Sequence, residues 1–300
     1  MTGPHALAIL VMLLWAGCYP FIAMGLSDAP HLTFAALRAL LAGGGLLAIA
    51  GARKCRLPSS AAEWGWICLT GISMTSLGYF GMFHASEFVS PGLATMIESL
   101  QPMMTALLAF LFLGERPRLV NWTGLVLGAV GVSLVTAPKI LSAGGDQALN
   151  GMGFVMIATG GVAAGNIAIK NVSASVDASM AMGLQLVIGA VPLALLAAFG
   201  PDPLAITWSA RFALSLTVLA LPGTALAYWL WQKVLRSLDV SEAASFSFLV
   251  PLIGVSAGAA FFGETIGGNV ALGATLAALG LYLASSRTPR TSPLPGRRDH

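Results

Sequence analysis

Apolar runs of about 20 residues recur along the chain, separated by short polar breaks. Ten are read, at 6–26, 32–50, 64–83, 92–113, 122–137, 152–169, 178–199, 212–235, 243–262 and 270–285. At a rise of about 1.5 Å per residue, a helical run of that length crosses a hydrocarbon core of about 30 Å. The runs are about twice the length of the alternating strands of a membrane barrel. The expected fold class is an all-α integral membrane protein with ten transmembrane helices. The first run lacks a basic start and belongs to a repeated unit, so it is expected to be a span and not a cleaved signal peptide.

Repetition organises these runs. Residues 79–134 lie over 228–283 at a constant offset of 149, with no gap. Tyr79 meets Tyr228, Ala94 meets Ala243, Leu100 meets Leu249 and Pro102 meets Pro251. Phe112, Gly114 and Glu115 meet Phe261, Gly263 and Glu264; Gly124 and Gly131 meet Gly273 and Gly280. The chain therefore reads as two copies of a five-helix unit. An odd number of spans turns the second copy over, so two inverted repeats around a central cavity are expected. The expected boundaries are a first repeat at 1–138, a linker loop at 139–150, a second repeat at 151–286 and a basic tail at 287–300. That tail carries Pro289, Pro293 and Pro295 and reads as disordered.

Composition agrees with a membrane chain. Charged residues make up 9% of it and hydrophobic residues 57%, more apolar surface than a soluble fold of 300 residues could hide. Of the 15 Lys and Arg residues, twelve fall on one side of the predicted topology: Arg53, Lys54, Arg56, Arg116, Arg118, Lys170, Lys233, Arg236, Arg287, Arg290, Arg297 and Arg298. Lys139 and Arg211 fall on the other side, and Arg38 lies within a span. This bias puts both termini in the cytoplasm of a bacterial cell with the chain in the cytoplasmic (inner) membrane.

Several chemistries are missing. The chain has no Walker A run, no His-Glu-x-x-His, no paired-aspartate motif and no Gly-x-Ser-x-Gly elbow. No enzyme activity and no cofactor are expected. The histidine and cysteine spacings suggest no metal site, and the odd count of three cysteines suggests no disulfide framework. Connections of about a dozen residues at most leave no room for a soluble domain. The expected partners are a small-molecule substrate, amino acids first, and membrane lipid, with no nucleic acid and a monomer as the expected unit.

Polar residues inside spans are the sharper signals, because each is costly unless paired or wet. Arg38 and Glu98 each follow the same end of their spans by about seven residues. Equal depth and opposite charge make them candidates for an ion pair, read either as a structural pin or as a gate, substrate contact or proton site. The second copy breaks the pattern: Glu98 aligns with Ser247, and Arg38 with Gln185. Ala94, Glu98, Gln101 and Thr105 share one helical face. Trp15 shares a face with Tyr19, and Tyr228 with Trp231 and Gln232. Trp15, Tyr19, Tyr79, Gln101, Asn166, Gln185, Tyr228 and Trp231 are the candidate substrate contacts, each weighed against a role in helix packing. Pro102 and Pro251 break a backbone bond inside a span and read as kinks or gating points, so Arg38, Glu98, Pro102 and Pro251 form the candidate gating or coupling set. The Gly-Glu pairs read as helix ends, and Gly124 with Gly128, Gly161 with Gly165 and Gly254 with Gly258 read as close helix contacts. His84 reads as an interfacial, solvated histidine.

Ten spans, a five-plus-five repeat and Pro-x11-Gly-Glu at 102–115 and 251–264 resemble the EamA-type drug/metabolite transporters. Trp15 and Ala36-Leu37-Arg38 add to the resemblance, which covers about 1–286 and is most similar to the bacterial aromatic amino-acid exporters. It implies a ten-helix basket with a central cavity that exports metabolites. Glu98 does not lie in the first span, where the small four-helix multidrug relatives keep a proton-binding Glu, so their coupling chemistry does not carry over. The function expected is secondary export of amino acids or related metabolites by alternating access. The rivals are an uncoupled facilitator or channel, an intramembrane enzyme and a structural membrane subunit.

Overall fold

The computed structural model describes residues 3–85, 87–88, 94, 97–136, 146–200, 202, 204–253 and 267–285. Among them there is no strand. Ten helical segments are present: α1 (Gly3–Leu26), α2 (His31–Ala52), α3 (Ala61–Ala85), α4 (Gln101–Leu113), α5 (Leu119–Thr136), α6 (Asp146–Asn171), α7 (Ala178–Ala198), α8 (Ala210–Ser237), α9 (Val240–Ile253) and α10 (Gly268–Ala284). α1, α2, α3, α6, α7 and α8 are long and apolar enough to cross a membrane, and the other four are shorter apolar helices. The chain is a ten-helix membrane protein built from two five-helix repeats.

Local chemistry sets several helix ends. Ser60 and Glu63 form a reciprocal capping box at α3, which satisfies two amides that a helix start leaves open. Asp177 accepts from the Ser179 amide at 2.8 Å and opens α7; Ser209 accepts from the Phe212 amide and opens α8. Gly114 ends α4 at φ 68°, a left-handed conformation that glycine adopts without steric cost.

The two copies meet along glycine-lined contacts that repeat the internal symmetry. A Cβ on Gly124 would lie 2.7 Å from the Gly280 carbonyl oxygen, and one on Gly131 would lie 2.6 Å from that of Gly273. Gly124 and Gly273 are repeat mates, as are Gly131 and Gly280, so α5 and α10 cross antiparallel about a pseudo-two-fold axis. α2 and α7 form the matching contact: a Cβ on Gly43 would come within 2.9 Å of the Gly183 oxygen. In lipid, where apolar faces gain little from meeting each other, this close backbone approach holds helices together. The outer surface is apolar, with Phe112, Leu119, Leu149 and Tyr282 at 70% exposure or more, as a lipid-facing surface should be.

Two helix pairs depart from regular α geometry at matched places. α3 widens into π turns over Gly71–Leu77 and α8 over Leu221–Leu226, and Tyr79 and Tyr228 follow just beyond. Ser76 and Thr224 donate to the carbonyls of Gly71 and Leu219, each five residues back, which the wide turn leaves within reach. The fourth and ninth spans are also broken, by a turn at Ser99–Leu100 and a 3-10 turn at Phe246–Phe248. Pro102 and Pro251 have no N–H to give the carbonyls of Glu98 and Ser247 four residues back. Pro102 therefore does not kink a continuous helix; it stands in the first turn of α4, after the break. α1 is likewise interrupted at Gly17, ahead of Pro20.

Candidate functional site

The symmetry also explains the charged residue at the centre of the molecule. Arg38 Nε donates to Thr224 Oγ1 at 2.8 Å, linking α2 to α8. Thr75 Oγ1 donates to Gln185 Oε1, also at 2.8 Å, linking α3 to α7. Thr75 and Thr224 are related by the offset of 149. These are thus one contact made twice, with Arg in the first copy and Gln in the second. The alignment reaches the first spans too. The Cys18 sulfur fills the space beside Gly223, and the Met74 side chain fills that beside Gly165. Met74 and Gly223 are repeat mates, so Cys18 matches Gly165, Trp15 matches Val162 and Tyr19 matches Asn166.

Around Arg38 lies a cavity of about 160 Å³. Trp15, Cys18 and Ile22 of α1 form one side, with Met74, Tyr79 and Met82 of α3 next to them. Glu98, Ser99 and Gln101 at the broken fourth span face Ser247, Phe248 and Pro251 at the broken ninth, and Thr159 and Tyr228 complete the polar lining. The cavity is mostly apolar and holds one cation and one carboxylate. Arg38 is 4% exposed, so its charge depends on what surrounds it. Its guanidinium carbon lies 4.9 Å from the Tyr79 ring centroid, and Nη2 lies 3.9 Å from Cys18 Sγ. Among the described residues two of its five N–H donors are committed to Thr224 and Cys18. Tyr79 and Thr224 hydroxyls are 3.4 Å apart, which ties the paired tyrosine region to the same hub.

Of the residues expected at the site, Trp15, Tyr79, Gln101, Tyr228, Arg38, Glu98 and Pro251 line this cavity. Asn166, Gln185, Trp231 and Pro102 do not. Trp231 Nε1 donates to Asn166 Oδ1 at 2.8 Å, and the Trp231 ring packs at a tilt against Trp15, centroids 5.4 Å apart. The side chain of Tyr19 lies outside the described residues, as do Gly254, Gly258, Phe261, Gly263 and Glu264. Sequence reasoning missed Cys18, Thr159 and Thr224. The matched pair Thr75 and Thr224 could have been found from the repeat. Three buried amides keep an unpartnered group among the described residues: Asn166 Nδ2, Gln185 Nε2 and both polar atoms of Gln232.

Toward the end of the bundle that carries most basic loops, a set of polar contacts ties the two repeats together. Glu115, directly after Gly114, accepts from the amides of Val240 and Ser241 at 2.6 and 3.0 Å and from Ser241 Oγ at 2.7 Å. It caps α9 from the other repeat, while Asp239 at the N-cap makes no side-chain bond there. His5 of α1 lies 2.8 Å from Glu242 beside it. Lys170 Nζ donates to the carbonyls of Leu235 and Leu238 at the close of α8.

Comparison with known proteins adds the family. The model of the EamA-like transporter family matches residues 3–137 and again 149–286. A probable amino-acid metabolite efflux pump of Salmonella typhimurium is 30% identical over 303 residues, covering 97% of this chain and 98% of its own. An uncharacterized transporter of Bacillus subtilis, YvbV, is 28% identical over 290 residues, covering 96% and 93%. A solved crystal structure superposes with a TM-score of 0.79 at 18% identity, over 94% of this chain and 96% of that one, and shows the shared fold. The chain is a multi-pass membrane transporter of small metabolites and no enzyme; with two matched copies of the family unit, it belongs to the EamA-like transporter family.

Proposed function

We propose that this transporter exports amino acids, aromatic or large neutral ones, by alternating access, with both termini in the cytoplasm. One observation carries the reading: a mostly apolar cavity that has Arg38, Glu98, Tyr79 and Tyr228 on its wall. A closed apolar cavity of about 150 Å³ takes a benzene ring, so the volume of about 160 Å³ suits one ring-bearing or branched side chain. Arg38 offers a planar donor set to a substrate carboxylate, and Glu98 offers its carboxylate to an ammonium group. Selection thus combines shape with both charged ends. The Salmonella relative named as a probable amino-acid metabolite efflux pump supports the same class.

The repeat supplies the second state. Exchanging each lining residue for its mate keeps Tyr79, Tyr228, Glu98 and Ser247 in the cavity and brings in Gly165, Gln185, Trp231 and Pro102. Gln185 among these has an unpartnered amide nitrogen, and so has Asn166, which bonds Trp231. In this reading Glu115 leaves the start of α9, the basic end opens, and the amides meet water or substrate. Proteoliposomes holding the purified chain, loaded with single amino acids and scored for counterflow, test the substrate class. Saturable exchange of phenylalanine, tyrosine or leucine is expected. Exchange of none of the twenty would end the amino-acid reading.

A further inference from the structure

A set of ligand-bearing side chains lies outside the cavity, at the end of the bundle away from Glu115. His31 opens α2, His84 sits in the last turn of α3, and Glu87 follows it. His31 Nε2 is 2.9 Å from His84 Nδ1, and His31 Nδ1 is 2.8 Å from Glu87 Oε1. One ligand atom from each of the three lies within 4.8 Å of those of the other two. Phe80 and Phe154 pack on His84 at 4.9 and 4.8 Å between centroids and restrict its ring. The His31 and Glu87 side chains stay partly open, at 23% and 47% exposure, so an ion has a path in. Spacing along the chain gave no hint of this, because the two imidazoles are 53 residues apart and meet only when α2 packs on α3.

Two imidazole nitrogens at hydrogen-bond distance share one proton, so one of them presents a bare lone pair to the other. A tetrahedral ion with bonds of about 2.0–2.1 Å sets its ligand atoms about 3.3 Å apart, a few tenths of an ångström wider than the observed contact. We propose that His31 Nε2 and His84 Nδ1 bind a borderline divalent transition metal, zinc above all, with Glu87 accepting from His31 Nδ1 to orient that ring and water completing the shell. Imidazole nitrogen favours such ions, whereas Mg2+ or Ca2+ would find one carboxylate and little else. The ion would tie the start of α2 to the end of α3. Those helices carry Arg38, about two turns deeper than His31, and Tyr79, about one and a half turns deeper than His84, so the metal would stiffen two walls of the cavity.

The test is zinc titration of the purified full chain in detergent, read by calorimetry and thermal unfolding. The expected result is one saturable equivalent and a raised Tm that a chelator reverses, with no response to Mg2+. The double variant His31→Gln/His84→Gln should bind at least 100-fold more weakly and Glu87→Gln about 10-fold more weakly, while His5→Gln binds as the parent does. No saturable zinc binding by the parent, or equal binding by the double variant, overturns the site. Should the double variant fail to fold, X-ray absorption on the zinc-loaded parent decides: two imidazole ligands are expected, and a shell without them refutes the proposal.

Discussion

At the scale of single residues, the buried cation is the feature with the largest consequence. Arg38 is held by Thr224, Cys18 and the Tyr79 ring, and it shares the cavity wall with Glu98. Among the described residues the contacts of Arg38 are Thr224, Cys18 and Tyr79 and not the expected direct pair with Glu98, so the two charges act on each other across the cavity, and removing either raises the cost of the other in a low-dielectric setting. Arg38→Ala and Glu98→Ala are each expected to lower exchange at least tenfold, with Arg38→Gln/Glu98→Gln recovering part of it. A double-mutant cycle measures this, and strictly additive losses would show that the two act separately. Asp28, in the link between α1 and α2, gives a pH signature. Hydrogen bonds from Arg211 hold its carboxyl below the ordinary range, against burial that pushes it up, and Ser209 adds to the hold. A lowered folded-state value means the contribution is present above an unfolded pKa of about 3.9 and is lost as pH falls through the folded value. Thermal unfolding in detergent should therefore weaken below about pH 4. Asp28→Asn should flatten that limb, and parallel loss in both proteins would remove Asp28 from the account.

At the scale of helices, close backbone contact sets the tolerances. A Cβ on Gly131 would lie 2.4 Å from the Ala277 amide nitrogen, with rigid helix on the far side. Gly131→Ala should separate α5 from α10 and cost about 1–3 kcal/mol. Gly44, by contrast, has open space where its Cβ would go. Gly44→Ala should be neutral or slightly stabilising, since alanine favours the helix. Melting temperatures of the two variants in the same detergent compare them directly; equal effects would mean that glycine at α5 is no contact residue. The π turns of α3 and α8 belong to this scale as well. Wide turns collect at functional places in helices, and these two each precede a cavity tyrosine.

At the scale of the whole molecule, the proposed alternation rests on two features. The repeat gives each copy the same parts, and Glu115 ties the copies together at the basic end by capping a helix of the opposite copy. Glu115→Gln removes the charge and one strong acceptor, so the basic end should open more often. A single cysteine at Trp231 or Gln185 should then react with a water-soluble maleimide several times faster than in the Glu115 parent. Unchanged rates would mean that Glu115 is only a cap. Orientation has its own check: cysteines at Arg116 and Gly267 should label from opposite faces of the membrane, and labelling from one face would contradict the inverted arrangement.

Much of this architecture was legible in the residue order. Run length and apolar content give helices that cross lipid, because backbone groups in hydrocarbon must bond within their own segment. The offset of 149 gives the repeat, and through it the matched prolines, tyrosines and glycines. Trp15, Tyr79, Gln101 and Tyr228 were legible as site candidates because aromatic and polar residues inside a span are few. Which of them meet was decided by packing. Gln185 matches Arg38 and makes the equivalent bond to Thr75, but the cavity forms on the side where the first copy's α2 meets α8, so only Arg38 lines it. Glu115 reads in the sequence as part of a helix end, and packing also makes it the cap of α9, a contact across 125 residues. His31 and His84 meet for the same reason. Sequence order fixes which residues sit on a helix and on what face; which faces meet depends on backbone approach at glycines and on the breaks before Pro102 and Pro251, and those exist only in the folded bundle.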